Sequence, residues 1–320
     1  VNKIAAIAWN TFKEAVRNRV LYVLLFFALL ILVAATVVST LSIEQPERIV
    51  RDLGVAAINV ISGLIAVFVG IGLVYNDLDK KTIYTVVSKP IKRWHFLVGK
   101  YLGLLLTIFV NVMVMTWLFA WVLELRYAFS DGQVEKNLFV VTEAGRYVSK
   151  GPGATLWYAV SSIVGGGVKG LLNVLSLGSY ATANLTTGLF LSSILTMLEM
   201  AVVVAFAVLF SSFSTPTLSA FLTAITWVIG KGNQDLYLLA ESILRKKGSQ
   251  DVMTLGDQLV YWFAYGAAHV APNLEVFNKR EAIAYFEPVT IEPYSVAYCI
   301  GYSTMVLLVA AIVFERRNFK

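Results

Sequence analysis

Charge is scarce in this sequence: of 320 residues only 14% are Asp, Glu, Lys or Arg, while 58% are hydrophobic. Soluble domains carry about 25% charged residues, and the mean hydropathy of +0.72 points the same way, so a water-soluble globular fold is excluded. Cysteine is nearly absent. The one cysteine, Cys299, lies in an apolar run, which rules out a disulfide framework. The two histidines, His95 and His269, each lack a second ligand at helical spacing, which argues against a metal centre. Catalytic signatures are missing too, with no Gly-x-x-x-x-Gly-Lys-Ser/Thr, no His-Glu-x-x-His and no Gly-x-Ser-x-Gly. The Gly165-Gly-Gly run is not followed by Gly-Lys-Ser/Thr and reads as a bend in an amphipathic or re-entrant helix. The net charge of +6 comes from Lys and Arg spread along the chain and at the edges of apolar runs, not gathered into a nucleic-acid face. Neither an enzyme nor a nucleic-acid binder is predicted, and no cofactor is expected on this chain.

What the sequence has is long apolar runs. A helix rises about 1.5 Å per residue and a bilayer core is about 30 Å thick, so roughly 20 residues cross it. Val20–Leu41, Val55–Tyr75, Tyr101–Leu123 and Tyr294–Phe314 are charge-free, and Leu185–Leu209 holds one acid. Thr217–Gly230 is shorter, at 14 residues, and reaches the far surface if Lys231 snorkels or if the helix continues into Asn233–Arg245. The expected fold is an all-α membrane protein with six transmembrane helices. Residues 1–19 precede them as an interfacial helix, with Ile4, Ile7, Ala8, Phe12, Ala15 and Val16 at helical spacing; no signal-peptide cleavage site follows. Two extracytoplasmic insertions, 124–184 and 231–293, complete the reading. The first carries a candidate β-hairpin at Leu138–Thr142 and Arg146-Tyr-Val, and the second an interfacial helix at Tyr261–Ala271. Ser42–Leu53 reads as a short external loop, and Ser211–Pro216 as a tight polar hairpin on the inside. Basic flanks place both termini in the cytoplasm.

Between the second and third runs lies Asn76–Lys100, NDLDKKTIYTVVSKPIKRWHFLVGK, with six Lys or Arg against two Asp. Short loops rich in Lys and Arg stay cytoplasmic. Asp77 or Asp79 can cap a small helix that Pro90 ends, and Ile83, Val86 and Val87 share one of its faces. Such a helix either docks in a groove on a partner or lies on the headgroups. The one acid deep in an apolar run, Glu199, is costly to insert, by at least about 2.5 kcal/mol, so it faces protein or water. It either lines a substrate or proton path, or is a protonated or hydrogen-bonded group at a helix or subunit contact; the second is the plainer reading.

Asp79-Lys-Lys-Thr-Ile, then Val87-Ser-Lys-Pro-Ile-Lys-Arg, then Phe96-Leu-Val-Gly-Lys-Tyr-Leu-Gly, resembles the coupling-helix loop of the ABC-2 family permeases, the membrane subunits of ATP-driven exporters. Lys81 stands where many members have Gly. Thr11-Phe-Lys-Glu-Ala-Val-Arg-Asn-Arg-Val-Leu-Tyr resembles the family's elbow helix and first span, and Ala271-Pro-Asn-Leu-Glu-Val-Phe-Asn is similar to a signature in the branch containing the nitrous oxide reductase maturation permease. The resemblance implies that residues 76–100 dock on a separate nucleotide-binding ATPase through Asp79, Thr82, Ile83, Tyr84, Val86, Val87, Ser88 and Pro90. It implies two ATPase copies, which bind ATP and Mg, and a second permease, identical by family default, in the cytoplasmic membrane. Coupling ATP hydrolysis to export or to mechanical work on the envelope is the function it implies. The alternatives are a secondary transporter using Glu199, and a membrane scaffold with no ATPase partner.

Overall fold

The computed structural model describes residues 2–40, 46–79, 93–129, 185–247, 254–285 and 289–316. The described residues are helical apart from short connections, and no strand occurs among them. In chain order the helices are α1 (Asn2–Val16), α2 (Arg19–Thr40), α3 (Pro46–Asp79), α4 (Arg93–Phe129), α5 (Leu185–Phe213), α6 (Pro216–Lys231), α7 (Asn233–Lys247), α8 (Leu255–Val270), α9 (Arg280–Ala284) and α10 (Pro293–Arg316). A 3-10 turn, Glu275–Phe277, precedes α9. Five of these, α2, α3, α4, α5 and α10, are long and apolar enough to cross a membrane.

The bundle is built around α5. Leu195, Met200, Val202, Val204, Ala205, Ala207 and Val208 are all sealed from solvent. A helix that is apolar on every side belongs in the middle, and α5 packs against α3, α4, α6 and α10. By contrast α2, equally apolar, leaves Phe26, Phe27, Val33 and Val37 at least half exposed, and α10 leaves Ile300, Met305, Leu308 and Ile312 exposed. Surfaces of that kind suit hydrocarbon rather than water.

Directions follow from the contacts. Asn59 meets Glu199, and Gly70 meets Ala207, so α3 and α5 run parallel. Cys299 meets the Leu198 carbonyl and Phe206 meets Tyr302, so α10 runs with them. Phe96 stacks on Phe314. One end of the bundle therefore gathers α1, the end of α3, the start of α4, the α5–α6 turn and the end of α10; the other gathers the starts of α3, α5 and α10 with residues 272–285 and 289–292.

Glycines set two close approaches. A Cβ on Gly99 would lie 2.7 Å from Ile7, and one on Gly103 would lie 2.6 Å from the Ala8 carbonyl oxygen. The small-xxx-small pair at 99 and 103 thus seats α1 against the start of α4.

Several helix ends differ from the sequence reading. The external loop expected over Ser42–Leu53 is helical from Pro46, because proline suits a first helical turn and Val50 and Arg51 are buried. Helix α4 begins at Arg93, inside the loop expected to reach Lys100. The hairpin at Ser211–Pro216 narrows to Ser214 and Thr215, since Ser211 and Ser212 stay helical by bonding the Val208 and Leu209 carbonyls. The fifth expected span is α6, 16 residues or about 24 Å, short of a core about 30 Å thick. It passes through Gly232 into α7, the Gly232 amide donating to Val228 O and the Leu236 amide to Gly232 O. The interfacial helix expected at Tyr261–Ala271 starts earlier, at Leu255. Thr254 accepts from the Asp257 amide while the Asp257 carboxylate accepts from the Thr254 amide, a closed capping box. The β-hairpin expected at 138–148 and the Gly165 run lie outside the described residues.

Candidate functional site

Glu199 lies midway along α5, and its carboxylate is 1% exposed. Three donors reach it from two neighbouring helices. Asn59 on α3 donates to Oε2 at 2.8 Å, the Lys231 ammonium on α6 donates to Oε2 at 2.9 Å, and the Trp227 indole donates to Oε1 at 3.2 Å. Trp227 and Lys231 are four residues apart and so share a helix face. Gly63 makes room for the indole, since a Cβ there would lie 2.2 Å from its ring. One carboxylate thus ties α3, α5 and α6 together. Lys231 is 27% exposed and its charge is matched by Glu199; of the two ways the sequence left for this span to reach the far surface, the chain continues as helix over Asn233–Lys247.

Beside this node is a cleft of about 300 Å³, bounded by α3, α5, α6 and residues 277–280. Its polar lining includes Asn59, Ser192, Thr196, Lys231, Lys279 and Arg280. Each of the three cations has an acid behind it: Lys231 has Glu199, Lys279 has Glu292 at 3.2 Å, and Arg280 grips Asp52 through Nε and, at 2.7 Å, through Nη2. The strap that carries Lys279 and Arg280 is fastened below by the Leu274 amide on Gly230 O and by the Asn273 amide on the Tyr298 hydroxyl. Among the described residues, no group of three or more His, Cys, Asp or Glu converges on one point. His269 donates through Nδ1 to its own helix, at Tyr265 O, and His95 stacks on Trp94.

The second candidate site lies at the opposite end. Asp79 closes α3 and Arg93 opens α4. The residues between them, including Thr82, Ile83, Tyr84, Val86, Val87, Ser88 and Pro90, lie outside the described residues, so the structure neither joins them nor separates them. Flanking them, Lys100 is 2% exposed, with its ammonium 3.5 Å from Glu14 of α1 and 5.9 Å from the Phe96 ring centre. The helix that leaves the loop is therefore clamped to the N-terminal helix.

A family model described as ABC-2 family transporter protein matches residues 5–319, nearly the whole chain. The chain belongs to the ABC-2 transporter family. No curated protein matches its sequence. As an ABC-2 permease it is a multi-pass membrane component of an ABC transporter, a type of subunit that works with an ATPase and is not itself catalytic. Within this permease Glu199 stands out from sequence alone, but its partners do not. Lys231 follows it by 32 residues, and Asn59 precedes it by 140. A signal for Lys231 is nevertheless present. Glu199 and Lys231 lie almost equally far from the Ser214–Thr215 turn, so an antiparallel pair of helices brings them level.

Proposed function

We propose that this ABC-2 permease couples ATP hydrolysis by a separate nucleotide-binding subunit to export, or to mechanical work on an envelope partner. Two copies of the chain form the transmembrane pathway and two ATPases close on ATP and magnesium beneath them. The segment from Asp79 to Pro90 docks on the ATPase, with Ile83, Val86 and Val87 as its apolar contact. Movement of the ATPase is carried into α3 and α4, and rigid-body displacement of the packed helices opens or squeezes a route. The family match over residues 5–319 carries this reading. It is supported by the helix ends on either side of the loop, since α3 ends and α4 begins where α1 and the α5–α6 turn also gather.

The test is affinity purification of the detergent-solubilised protein and of an Ile83→Asp/Val86→Asp/Val87→Asp variant, followed by mass spectrometry. An ATPase retained by the parent and lost from a folded variant is the expected outcome. If mild conditions recover no ATPase with the folded parent, the coupling mechanism is wrong. The Glu199–Lys231 pair favours one other reading, a secondary transporter with a charged site inside the membrane. That reading requires Glu199→Gln to abolish transport without any nucleotide dependence.

A further inference from the structure

The cleft beside Lys231 is not sealed. Val60 of α3 and Val228 of α6 both line it, yet they are 47% and 65% exposed, so it opens sideways between the two helices onto the apolar flank of the bundle. From that mouth an exposed stripe runs down α6. Val228, Ile225, Phe221 and Leu218 follow one another at helical spacing, and Phe68 of α3 is exposed alongside. Ten residues of helix make a track about 15 Å long. A polar pocket at the end of an apolar track is the shape of an amphiphile.

The chemistry of the pocket narrows the class. Lys231, Lys279 and Arg280 come from two chain segments and surround one space. An ammonium offers three N–H donors, and the carboxylates behind Lys231 and Lys279 do not need them all. Asp52 engages Arg280 through Nε and Nη2, leaving the Nη1 edge of the guanidinium for another acceptor. Arg and Lys together favour phosphate oxygens. Asp52, Glu199 and Glu292 do not line the cleft but each pairs with one of its three cations, so the cations with their acids carry no net charge. A cationic lining whose charge is already balanced from behind suits a headgroup with one phosphate and no net charge, rather than a polyanion. The volume, about 300 Å³, is at the lower end of ligand pockets and takes a headgroup without its tails. Basic pockets between membrane helices hold lipid headgroups by this chemistry.

We propose that this cleft binds one zwitterionic glycerophospholipid, its phosphate on Lys279 and Arg280 and one acyl chain along the α6 stripe. The lipid is a bound partner of the fold, and the proposal stands whether or not an ATPase docks at the other end. The test is native mass spectrometry of the full chain released from vesicles of phosphatidylethanolamine. One retained lipid per chain is expected. Lys279→Gln/Arg280→Gln should weaken retention about tenfold, whereas Arg245→Gln, in an exposed pair on α7, should leave it unchanged. Should the double variant fail to fold, Val228→Asp provides the second arm: it puts charge on the track and should also release the lipid. Equal retention by parent and either folded variant overturns the assignment. So does displacement of the lipid by an equal concentration of soluble glycerophosphoethanolamine, because the track would then contribute nothing. Efficient cross-linking between two copies carrying Val228→Cys also overturns it, since a second chain would then cover the mouth.

Discussion

Neutralising Glu199 would strand Lys231. A buried ion pair adds little over a well-packed apolar pair, but removing one member leaves a charge with no partner, at about 3–5 kcal/mol. Glu199→Gln should therefore destabilise the protein by that order, whereas Glu199→Gln/Lys231→Met should recover much of the loss. A double-mutant cycle of thermal unfolding in detergent measures the coupling; additive losses would show that the two residues do not act as a pair. The carboxylate itself was legible from sequence, since one acid in a run of 25 residues is conspicuous. Its donors were harder to find, because three side chains on other helices converge only once α3, α5 and α6 are packed, and only Lys231 is signalled, by its distance from the Ser214–Thr215 turn. Gly103 poses the reverse problem of too little space. With a Cβ only 2.6 Å from the Ala8 carbonyl, Gly103→Val should push α1 off α4 and cost about 1–3 kcal/mol. Faster proteolysis of the N-terminal helix, with the remaining bundle intact, is the expected result.

Helices, as elements, announced themselves through the absence of charge, and five of the six expected spans are helices of sufficient length. Their ends were harder to read. Apolar runs mark where lipid begins, not where hydrogen bonding stops. So α3 extends back to Pro46 through Val50, which is fully buried despite its charged neighbours, and α4 extends back to Arg93. The start of α8 was missed by the expected Tyr261–Ala271 helix, although a signal for it is present. Thr254 and Asp257 stand three apart ahead of an apolar run, the spacing of a capping box. Thr254→Ala should remove about 0.5–2 kcal/mol from that helix. Hydrogen exchange would detect it as faster exchange confined to the first turns of α8, and a change spread over the whole bundle would contradict this local role.

For the whole molecule, the contacts place the helix ends that flank the proposed docking loop at one end and the cleft towards the other. Basic flanks led to the expectation that both ends of the chain share one side, and the contacts of α3, α5 and α10 group α1 with the end of α10. The docking of α1 was only half legible. Gly99 and Gly103 stand four apart, a spacing that allows close helix contact, but nothing in it names α1 as the helix they receive. Nor did any local pattern point to residues 272–280 as the strap over the cleft, because its attachments, to Gly230, Tyr298 and Asp52, are all remote in sequence.

Helix α6 is 16 residues long and ends at a lysine whose counter-charge is fixed halfway along α5. A longer helix answers a thick bilayer by tilting less; this one has no slack, and extending it would drag Lys231 from its carboxylate. Hydrophobic mismatch should therefore act on this protein asymmetrically. In reconstituted bilayers of increasing acyl length, thermal stability should fall more steeply above the matching thickness than below it, and the Glu199→Gln/Lys231→Met protein, free of that tether, should show a flatter profile.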